Sequence, residues 1–228
     1  MWFKDKNAFV GRRFTSSADT KELLELHRLF GRVLAERAES RDGSRAEHVS
    51  RVEQLTGLLV RAMIMADYPG FTAEYADNVI LAATLHDVGK IAVSDAVLSK
   101  SGELSKAEAE ELMRHTTEGA ALLEEISEKL GGGTYISVAA VVARFHHERW
   151  NGCGYPDRLK GDEIPLPARI VSIADGFDLL AGEKKTDIDE AAAAMREFAG
   201  VYYDPVLTDI FLSRLLAIKE VYNNTDNK

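Results

Sequence analysis

Apolar residues recur along most of this chain at intervals of three and four, the spacing of a helix with one buried face. The first clear example has Leu23, Leu26, Phe30 and Leu34 on one stripe. Alternation of apolar and polar residues with a period of two, which indicates a half-buried strand, is almost absent. The pattern therefore predicts an all-α fold.

Turn-forming segments separate the predicted helices, such as the break at 41–44 and the Tyr68-Pro69-Gly70 turn. We also predict a loop over 94–102 and a glycine- and proline-rich loop over 151–165. Ser105 followed by Glu108 has the form of a capping box at a helix start. The predicted helices are one within 16–40, one around 48–59, one at about 72–87, one from 105 through 123, one at about 134–147, one from Pro165 through Asp175, and two at about 188–199 and 205–223.

Composition is that of one globular domain, which we predict to be a bundle-like domain over 41–228 preceded by a tail and helix over 1–40. The chain has 228 residues, 46% hydrophobic and 29% charged, and a formal net charge of −9 that disfavours broad binding to DNA. Its single cysteine, Cys153, excludes an intrachain disulfide and fits a reducing compartment. No apolar run approaches the roughly 18 residues of a membrane span, and no secretion signal is evident. We therefore expect a cytoplasmic protein without a membrane span.

Five of the six histidines fall at the ends or on the inward stripes of four predicted helices, where facing helices can direct side chains to one place. Two aspartates accompany them. Seven nitrogen and oxygen ligands are too many for one tetrahedral zinc, but they suit two divalent first-row metals that share a carboxylate. The candidate ligands are His48, His86, Asp87, His115, His146, His147 and Asp175, whereas His27 has no ligand-like neighbour.

Asp87 is the natural bridging residue of such a centre. Consecutive side chains on a helix diverge by about 100°, so His86 and Asp87 can face two adjacent metals. A pair of metals lowers the pKa of a bridging water and clamps a phosphate ester for in-line attack. Lys90, one helical turn beyond His86, is placed to offset charge on the phosphate.

Each ligand has a simpler interpretation when it is considered alone. A single histidine in a helix is usually structural or exposed, the His146-His147 pair can be one core and one surface residue, and Asp87 can simply end a helix. The coincidence of all seven residues at inward or helix-end positions favours the metal site over these alternatives.

Several motifs resemble a known family. His86-Asp87-Val88-Gly89-Lys90 resembles the HD-x-G-K signature of the HD superfamily of metal-dependent phosphohydrolases, and the segment 146–156 is similar to the HHExxxGxGYP signature of its HD-GYP subfamily. The H-x3-G element at 115–119 and the blocks at 164–170 and 174–178 also resemble that subfamily. The similarity covers roughly residues 41–215.

The resemblance implies an HD-type helical bundle that hydrolyses cyclic di-GMP to pGpG and then often to GMP. The implied cofactors are two divalent ions, iron or manganese, with Asp87 shared between them. It further implies that Asp87 and Lys90 act in catalysis and that Lys90, Tyr155 and Lys184 contact substrate. One metal would bind His48, His86, Asp87 and Asp175, and the other Asp87, His115, His146 and His147.

Two departures from the family pattern bear on these expectations. Some members bind a third metal through a glutamate, but that position here is Ser44, so we predict two metals. Where members often carry a basic Arg-Pro-Tyr-Arg or Arg-Pro-Tyr-Lys element, this chain has Lys184 in place of the arginine and Asp187 in place of the last basic residue. Another cyclic dinucleotide such as cyclic GMP-AMP, or a binding module with little turnover, therefore stays an alternative.

Two partner interactions are also expected. The family's GYP loop has been linked to contact with diguanylate cyclases, and residues 151–156 would provide that surface here. The apolar stripe of the first helix can pack on the bundle or pair with a second copy to form a homodimer.

Overall fold

The computed structural model describes residues 17–41, 46–69, 71–129, 131, 135–183 and 186–225, and within them the fold is all-α, as predicted. These residues contain eleven α-helices, two short 3-10 helices at Val88–Ala92 and Gly161–Glu163, and a π-helical turn at Leu179–Glu183. The α-helices are α1 Ser17–Glu39, α2 Ala46–Met65, α3 Ala73–Ala83, α4 Asp95–Leu98, α5 Lys106–Met113, α6 His115–Lys129, α7 Tyr135–Phe145, α8 Leu166–Asp178, α9 Ile188–Phe198, α10 Pro205–Leu212 and α11 Leu215–Thr225.

The core forms where α2, α3, α6, α7 and α8 pack against one another, and α10 and α11 cover α2. Its largest fully buried side chains include Leu55, Leu59, Ile173, Phe177 and Phe211. Burial of this apolar surface supplies most of the driving force for folding. None of the helices in the described ranges is long and apolar enough to cross a membrane.

Helix α1 packs on the 3-10 segment 88–92 and on α2. Its C-terminal half buries Ala35 and Ala38, whereas Leu26 and Phe30 on the other side of the helix are each 58% exposed. The division between an N-terminal segment at 1–40 and a catalytic domain at 41–228 stays a prediction.

Three of the predicted helices are shorter or interrupted. The helix expected over 72–87 begins at its N-cap Thr72 but ends at Ala83, where the side chains of Thr84 and His86 bond the carbonyls of Leu81 and Ala83. Such local bonds compete with helix continuation. The helix that opens with the Ser105–Glu108 capping box breaks between α5 and α6, and the last predicted helix divides into α10 and α11.

The prediction of a plain loop over 94–102 was wrong, because one helical turn, α4, lies within it. The Ser99 hydroxyl donates to the Asp95 carbonyl at 2.6 Å and helps to end that turn. A helix of four residues is too short to show a 3.6-residue period, so the apolar pattern could not reveal it.

The glycine of the 86–90 motif is required by a close backbone approach. A Cβ added at Gly89 would lie 1.9 Å from the His115 carbonyl oxygen and 2.5 Å from the Gly119 amide nitrogen. The 3-10 segment therefore crosses the start of α6 almost backbone to backbone. This contact holds the turn with Asp87 beside the helix that begins at His115.

We expect Gly89→Ala to destabilise the fold by about 1–3 kcal/mol or more, because the methyl group would meet backbone that cannot yield. Chemical denaturation monitored by circular dichroism measures the free energy of unfolding. Gly57→Ala is the matched control, since the one close contact of its Cβ would be with the flexible end of Arg61. Equal stability of the two variants would contradict this account of the motif glycine.

Candidate metal centre

The structure brings all seven predicted ligands together in one cluster. His48 comes from α2, His115 begins α6 and Asp175 lies on α8, while the turns after α3 and α7 provide the other four. Six of the seven form two groups within which the ligand atoms lie within 4.8 Å of one another. The groups are His48, His86 and Asp87, and Asp87, His115, His146 and His147.

Asp87 belongs to both groups and lies between them. Its Oδ2 is 3.3 Å from His86 Nε2, and its Oδ1 is 3.1 Å from His115 Nε2 and 3.5 Å from His146 Nε2. Oδ1 is buried and accepts no hydrogen bond from any described residue. A buried carboxylate oxygen without a donor is costly unless a cation compensates it, so this atom fits a metal ligand.

The expectation that a helix places His86 and Asp87 was wrong, because both residues lie in the turns between Ala83 and Val88. His86 and Asp87 nevertheless face different groups, as predicted. His86 faces His48, with their Nε2 atoms 3.5 Å apart, whereas the Asp87 carboxylate extends to the other group.

Asp175 extends the first group. Its Oδ1 lies 3.7 Å from His48 Nε2 and 3.8 Å from His86 Nε2. Asp175 thus lies beside both imidazoles of this group, and Asp87 Oδ2 also faces His86. Mixed nitrogen and oxygen ligands of this kind suit divalent first-row metals.

The second group contains three imidazoles against the opposite oxygen of Asp87. The His115 and His146 Nε2 atoms are 3.5 Å apart, and the His147 ring centroid is 4.0 Å from that of His146. Three imidazoles and one carboxylate make a second four-ligand set. The structure thus contains two sets of donors with Asp87 common to both.

Hydrogen bonds on the far side of each ring orient four of the five histidines. His86 Nδ1 donates to the Ala83 carbonyl at 2.8 Å, His115 Nδ1 to Leu112 at 2.6 Å, and His146 Nδ1 to Ala143 at 3.0 Å. His48 Nδ1 instead faces the Asp178 carboxylate at 2.8 Å. With the proton on Nδ1, each Nε2 presents its lone pair to the cluster, which is how metal-binding histidines are usually fixed.

The electrostatics also suit cation binding. Burial lowers the pKa of His146, and burial together with neighbouring imidazoles holds the pKa of His147 well below its usual range. Burial alone would raise the pKa of Asp87, but Lys90 and the surrounding histidines outweigh it and hold that pKa well below normal. The lowered pKa values of His146 and His147 favour neutral imidazoles, and that of Asp87 favours an ionised carboxylate, the protonation states that metal ligands need.

Lys90 lies against Asp87 with its Nζ 2.7 Å from Oδ2. The lysine follows Asp87 by three residues in the 3-10 segment, and its side chain is only 13% exposed. A phosphate bound at the cluster would offer this ammonium a second anionic partner. The position is compatible with the expected role of Lys90 beside the substrate.

Sequence reasoning did not assign a role to Asp178, although its side chain is fully buried behind the cluster. In addition to His48, its carboxylate accepts hydrogen bonds from Arg51 at 2.5 Å and from the Tyr222 hydroxyl at 2.8 Å. Burial would raise the pKa of Asp178, but the bonds from His48 and Arg51 outweigh it and lower that pKa. The sequence signals were its place three residues after Asp175, one turn along α8, and its position in the 174–178 block that resembles the subfamily.

A ring contact and hydrogen bonds to a buried carboxylate hold the GYP loop against the cluster. The Tyr155 ring lies over His147 with a centroid distance of 4.9 Å. The buried Glu148 carboxylate accepts bonds from the Asp157 and Leu159 amides at 2.7 and 3.0 Å. A Cβ on Gly154 would come within 2.4 Å of the Arg149 nitrogen, so this glycine permits the tight fold of the loop.

Lys184 and Ser44, together with the side chain of His27, lie outside the described residues, and the predictions about them stay predictions. Asp187 is described and caps α9, where its carboxylate accepts a bond from the Asp189 amide at 2.8 Å. An acidic residue at this position therefore stabilises a helix start.

We expect Asp178→Asn to weaken metal binding by about 10–100-fold, because the residue that orients His48 is changed while every ligand is kept. Competition with a metal chelator measures the affinity. Asp204→Asn is the matched control, since Asp204 is also buried and bonded to an arginine, Arg169, at 2.8 Å. Unchanged affinity in the Asp178 variant would argue against a positioning role.

A protein-family model described as HD domain matches residues 32–207. The chain belongs to the HD domain family. The match spans the part of the fold that contains every residue of the cluster. The resemblance recognised in the 86–90 motif is therefore confirmed.

Curated relatives in the family are named for cyclic dinucleotide hydrolysis. A protein of Vibrio cholerae named cyclic di-GMP phosphodiesterase is 34% identical over 77% of this chain and 37% of its own length. The cyclic di-GMP phosphodiesterase response regulator RpfG of Xanthomonas campestris is 35% identical over 82% of this chain and 48% of its own. A Vibrio cholerae protein named 3'3'-cGAMP-specific phosphodiesterase 2 is 34% identical over 92% of this chain and 37% of its own. The chain thus spans less than half the length of these relatives.

Solved structures show the same fold. A cyclic GMP-AMP phosphodiesterase of V. cholerae superposes with a TM-score of 0.56 at 21% identity, covering 85% of this chain and 53% of its own. A protein of Bdellovibrio bacteriovorus described as an HDG"Y"P protein gives a TM-score of 0.57 at 17% identity, covering 87% and 64%. Both support the all-helical architecture.

Proposed function

We propose that this chain is a metal-dependent phosphodiesterase that hydrolyses cyclic di-GMP to pGpG, GMP or both. The observation that carries the proposal is the buried Asp87 carboxylate, which lies between two groups of imidazoles and has an oxygen without a hydrogen-bond donor. The names of relatives at 34–35% identity support cyclic di-GMP as the substrate.

The proposed cofactors are two divalent metal ions, with iron or manganese the expected metals. One would bind His48, His86, Asp87 and Asp175, and the other Asp87, His115, His146 and His147. When bound, such a pair supplies an activated water and a clamp for the phosphate. The two ligand sets that share Asp87 support this number, and their mixture of imidazole and carboxylate supports first-row metals.

The chain's own residues would bind and orient the substrate. The Lys90 ammonium, which is paired with Asp87 in this structure, would also contact the phosphate. There it would stabilise the negative charge that develops during bond cleavage. The Tyr155 ring borders the cluster next to His147 and would limit where the dinucleotide can lie. Lys184 is proposed as a further phosphate contact on its sequence position alone.

A second candidate substrate is a mixed cyclic dinucleotide. The relative named 3'3'-cGAMP-specific phosphodiesterase 2 matches 92% of this chain, and another with the same specificity in its name is 39% identical over 70% of it. Cyclic GMP-AMP would use the same metals and phosphate contacts. A module that binds nucleotide without useful turnover is less well supported, because binding alone does not require seven ligands.

Product analysis tests the proposal directly. We expect protein reconstituted anaerobically with iron(II) or manganese(II) to convert cyclic di-GMP to pGpG or GMP, measured by chromatography. His86→Ala combined with Asp87→Ala should reduce turnover to background, because it removes one ligand of the first set and the shared carboxylate. His27→Ala is the control, as His27 is the one histidine not assigned to the site.

Two results would contradict the proposal. Intact cyclic di-GMP after incubation with protein of confirmed metal content would exclude it as substrate, and hydrolysis of cyclic GMP-AMP in the same assay would support the second candidate. Turnover in the double variant equal to that of the His27 variant would exclude the cluster as the active site.

The expected contact of the GYP loop with diguanylate cyclases stays a prediction, as does location in the cytoplasm. For the homodimer, α1 supplies an exposed apolar surface. Leu26, Leu29, Phe30 and Val33 lie at spacings of three and four residues and are 48–61% exposed. Two copies of such a stripe are complementary to each other in a helix pair, so we propose a second copy of this chain as its partner.

We expect Phe30→Asp to shift the protein from dimer to monomer, because a carboxylate in an apolar helix pair is costly to bury. Light scattering coupled to size-exclusion chromatography measures the mass. Leu216→Asp is the control, since Leu216 is an exposed apolar residue, 81% exposed, on a different helix, α11. A monomeric parent protein at micromolar concentration would refute the dimer.

A further inference from the structure

A cavity of about 630 Å³ lies between the junction of α5 and α6 and the GYP loop. One wall contains Glu110, Met113 and Arg114, and the other contains Cys153 and Arg158. Ligand-binding clefts commonly have volumes of about 300–1,000 Å³. The cavity is therefore large enough for part of a nucleotide, and no ligand of the metal cluster lines it.

Tyr155 connects this cavity with the metal cluster. Its ring packs against His147 at a centroid distance of 4.9 Å and also lines the cavity. Arg114, which also lines the cavity, directly precedes the cluster residue His115 in sequence. A dinucleotide with one phosphate at the metals would pass Tyr155 and extend its far end into the cavity.

The two walls carry side chains of complementary chemistry. Glu110 is 66% exposed and its nearest ion pair, to Lys106, is a long 3.8 Å contact on the surface. None of the described side chains forms an ion pair with Arg158 on the opposite wall, whereas Arg114 is paired with Glu118 at 2.8 Å. Glu110 and Arg158 are therefore the two charged groups available to a ligand between the walls.

We propose that this cavity binds the guanine base of the distal nucleotide, the one whose phosphate is not being cleaved, and that Arg158 and Glu110 select guanine. Guanine presents O6 and N7 as paired acceptors on one edge, which arginine contacts in a bidentate manner, and an amino donor on another edge. An ionised carboxylate only accepts hydrogen bonds, so Glu110 matches that donor.

Adenine fits these walls poorly. It places an amino donor where guanine has O6, and this donor would face the guanidinium donors of Arg158. It also lacks the amino group that guanine offers to Glu110. The proposal deepens the proposed phosphodiesterase function and rests on it, since it specifies which base is read and where.

The test uses the full metal-loaded chain and two readouts. The first is steady-state kinetics on cyclic di-GMP. We expect Arg158→Ala to raise KM about tenfold with little change in kcat, because one bidentate base contact is lost at a distance from the reacting phosphate. Arg196→Ala is the control, an arginine of α9 that is exposed and does not line the cavity.

The second readout does not depend on turnover. Cys153 is the only cysteine of the chain, is exposed and lines the cavity, so its reaction with an aromatic disulfide reagent reports occupancy. We expect excess cyclic di-GMP to slow this reaction at least fivefold and cyclic di-AMP to slow it much less. Glu110→Gln should reduce the difference between the two nucleotides.

The outcomes separate this proposal from the function on which it rests. Efficient hydrolysis of cyclic di-GMP with no protection of Cys153 would overturn the cavity as the distal site. Equal protection by both nucleotides, or an unchanged KM in the Arg158 variant, would overturn guanine selection. Guanine-dependent protection without hydrolysis would support the binding site while the proposed catalytic function failed.

Discussion

The cluster of histidines and aspartates depends on one buried negative charge, the carboxylate of Asp87, which belongs to both groups of candidate ligands. An isolated ionised carboxylate is very costly to bury, so the surrounding structure has to supply positive charge or hydrogen-bond donors. Lys90 contacts one of its oxygens, while the other faces His115 and His146 without a hydrogen bond. One carboxylate oxygen thus has a side-chain cation as its partner, and the other is left available to a bound cation.

The backbone around the Asp87 carboxylate depends on two glycines that allow close backbone contacts. Gly89 allows the segment after Asp87 to approach the start of α6, and Gly154 allows the GYP loop to fold against the turn after α7. Both glycines lie next to ligands rather than at ligand positions. At Gly89 a side chain would separate the turn that contains Asp87 from the start of α6, and at Gly154 it would push the GYP loop away from residues 147–149.

The sequence predicted the helical class from periodicity. It predicted the identities of the clustered residues from their ligand chemistry, their helix-end or inward positions and the 86–90 and 146–156 motifs. It failed where side chains compete with the backbone, as at Thr84 and His86, which end a helix that periodicity alone would continue. It also failed for Asp178, whose contacts with Arg51 and Tyr222 come from residues 127 and 44 positions away. Such long-range pairing has no local pattern, so only a folded structure reveals it.

The same long-range contacts connect the cluster to the rest of the fold. Tyr222 on the last helix and Arg51 on α2 both bond Asp178, which in turn orients His48. The position of one candidate ligand therefore depends on the packing of α11 against α2. A metal that binds the folded cluster more tightly than the unfolded chain must stabilise the fold by mass action. Because Asp178 connects His48 to these helices, part of that stabilisation would extend to α11, far along the chain from every ligand.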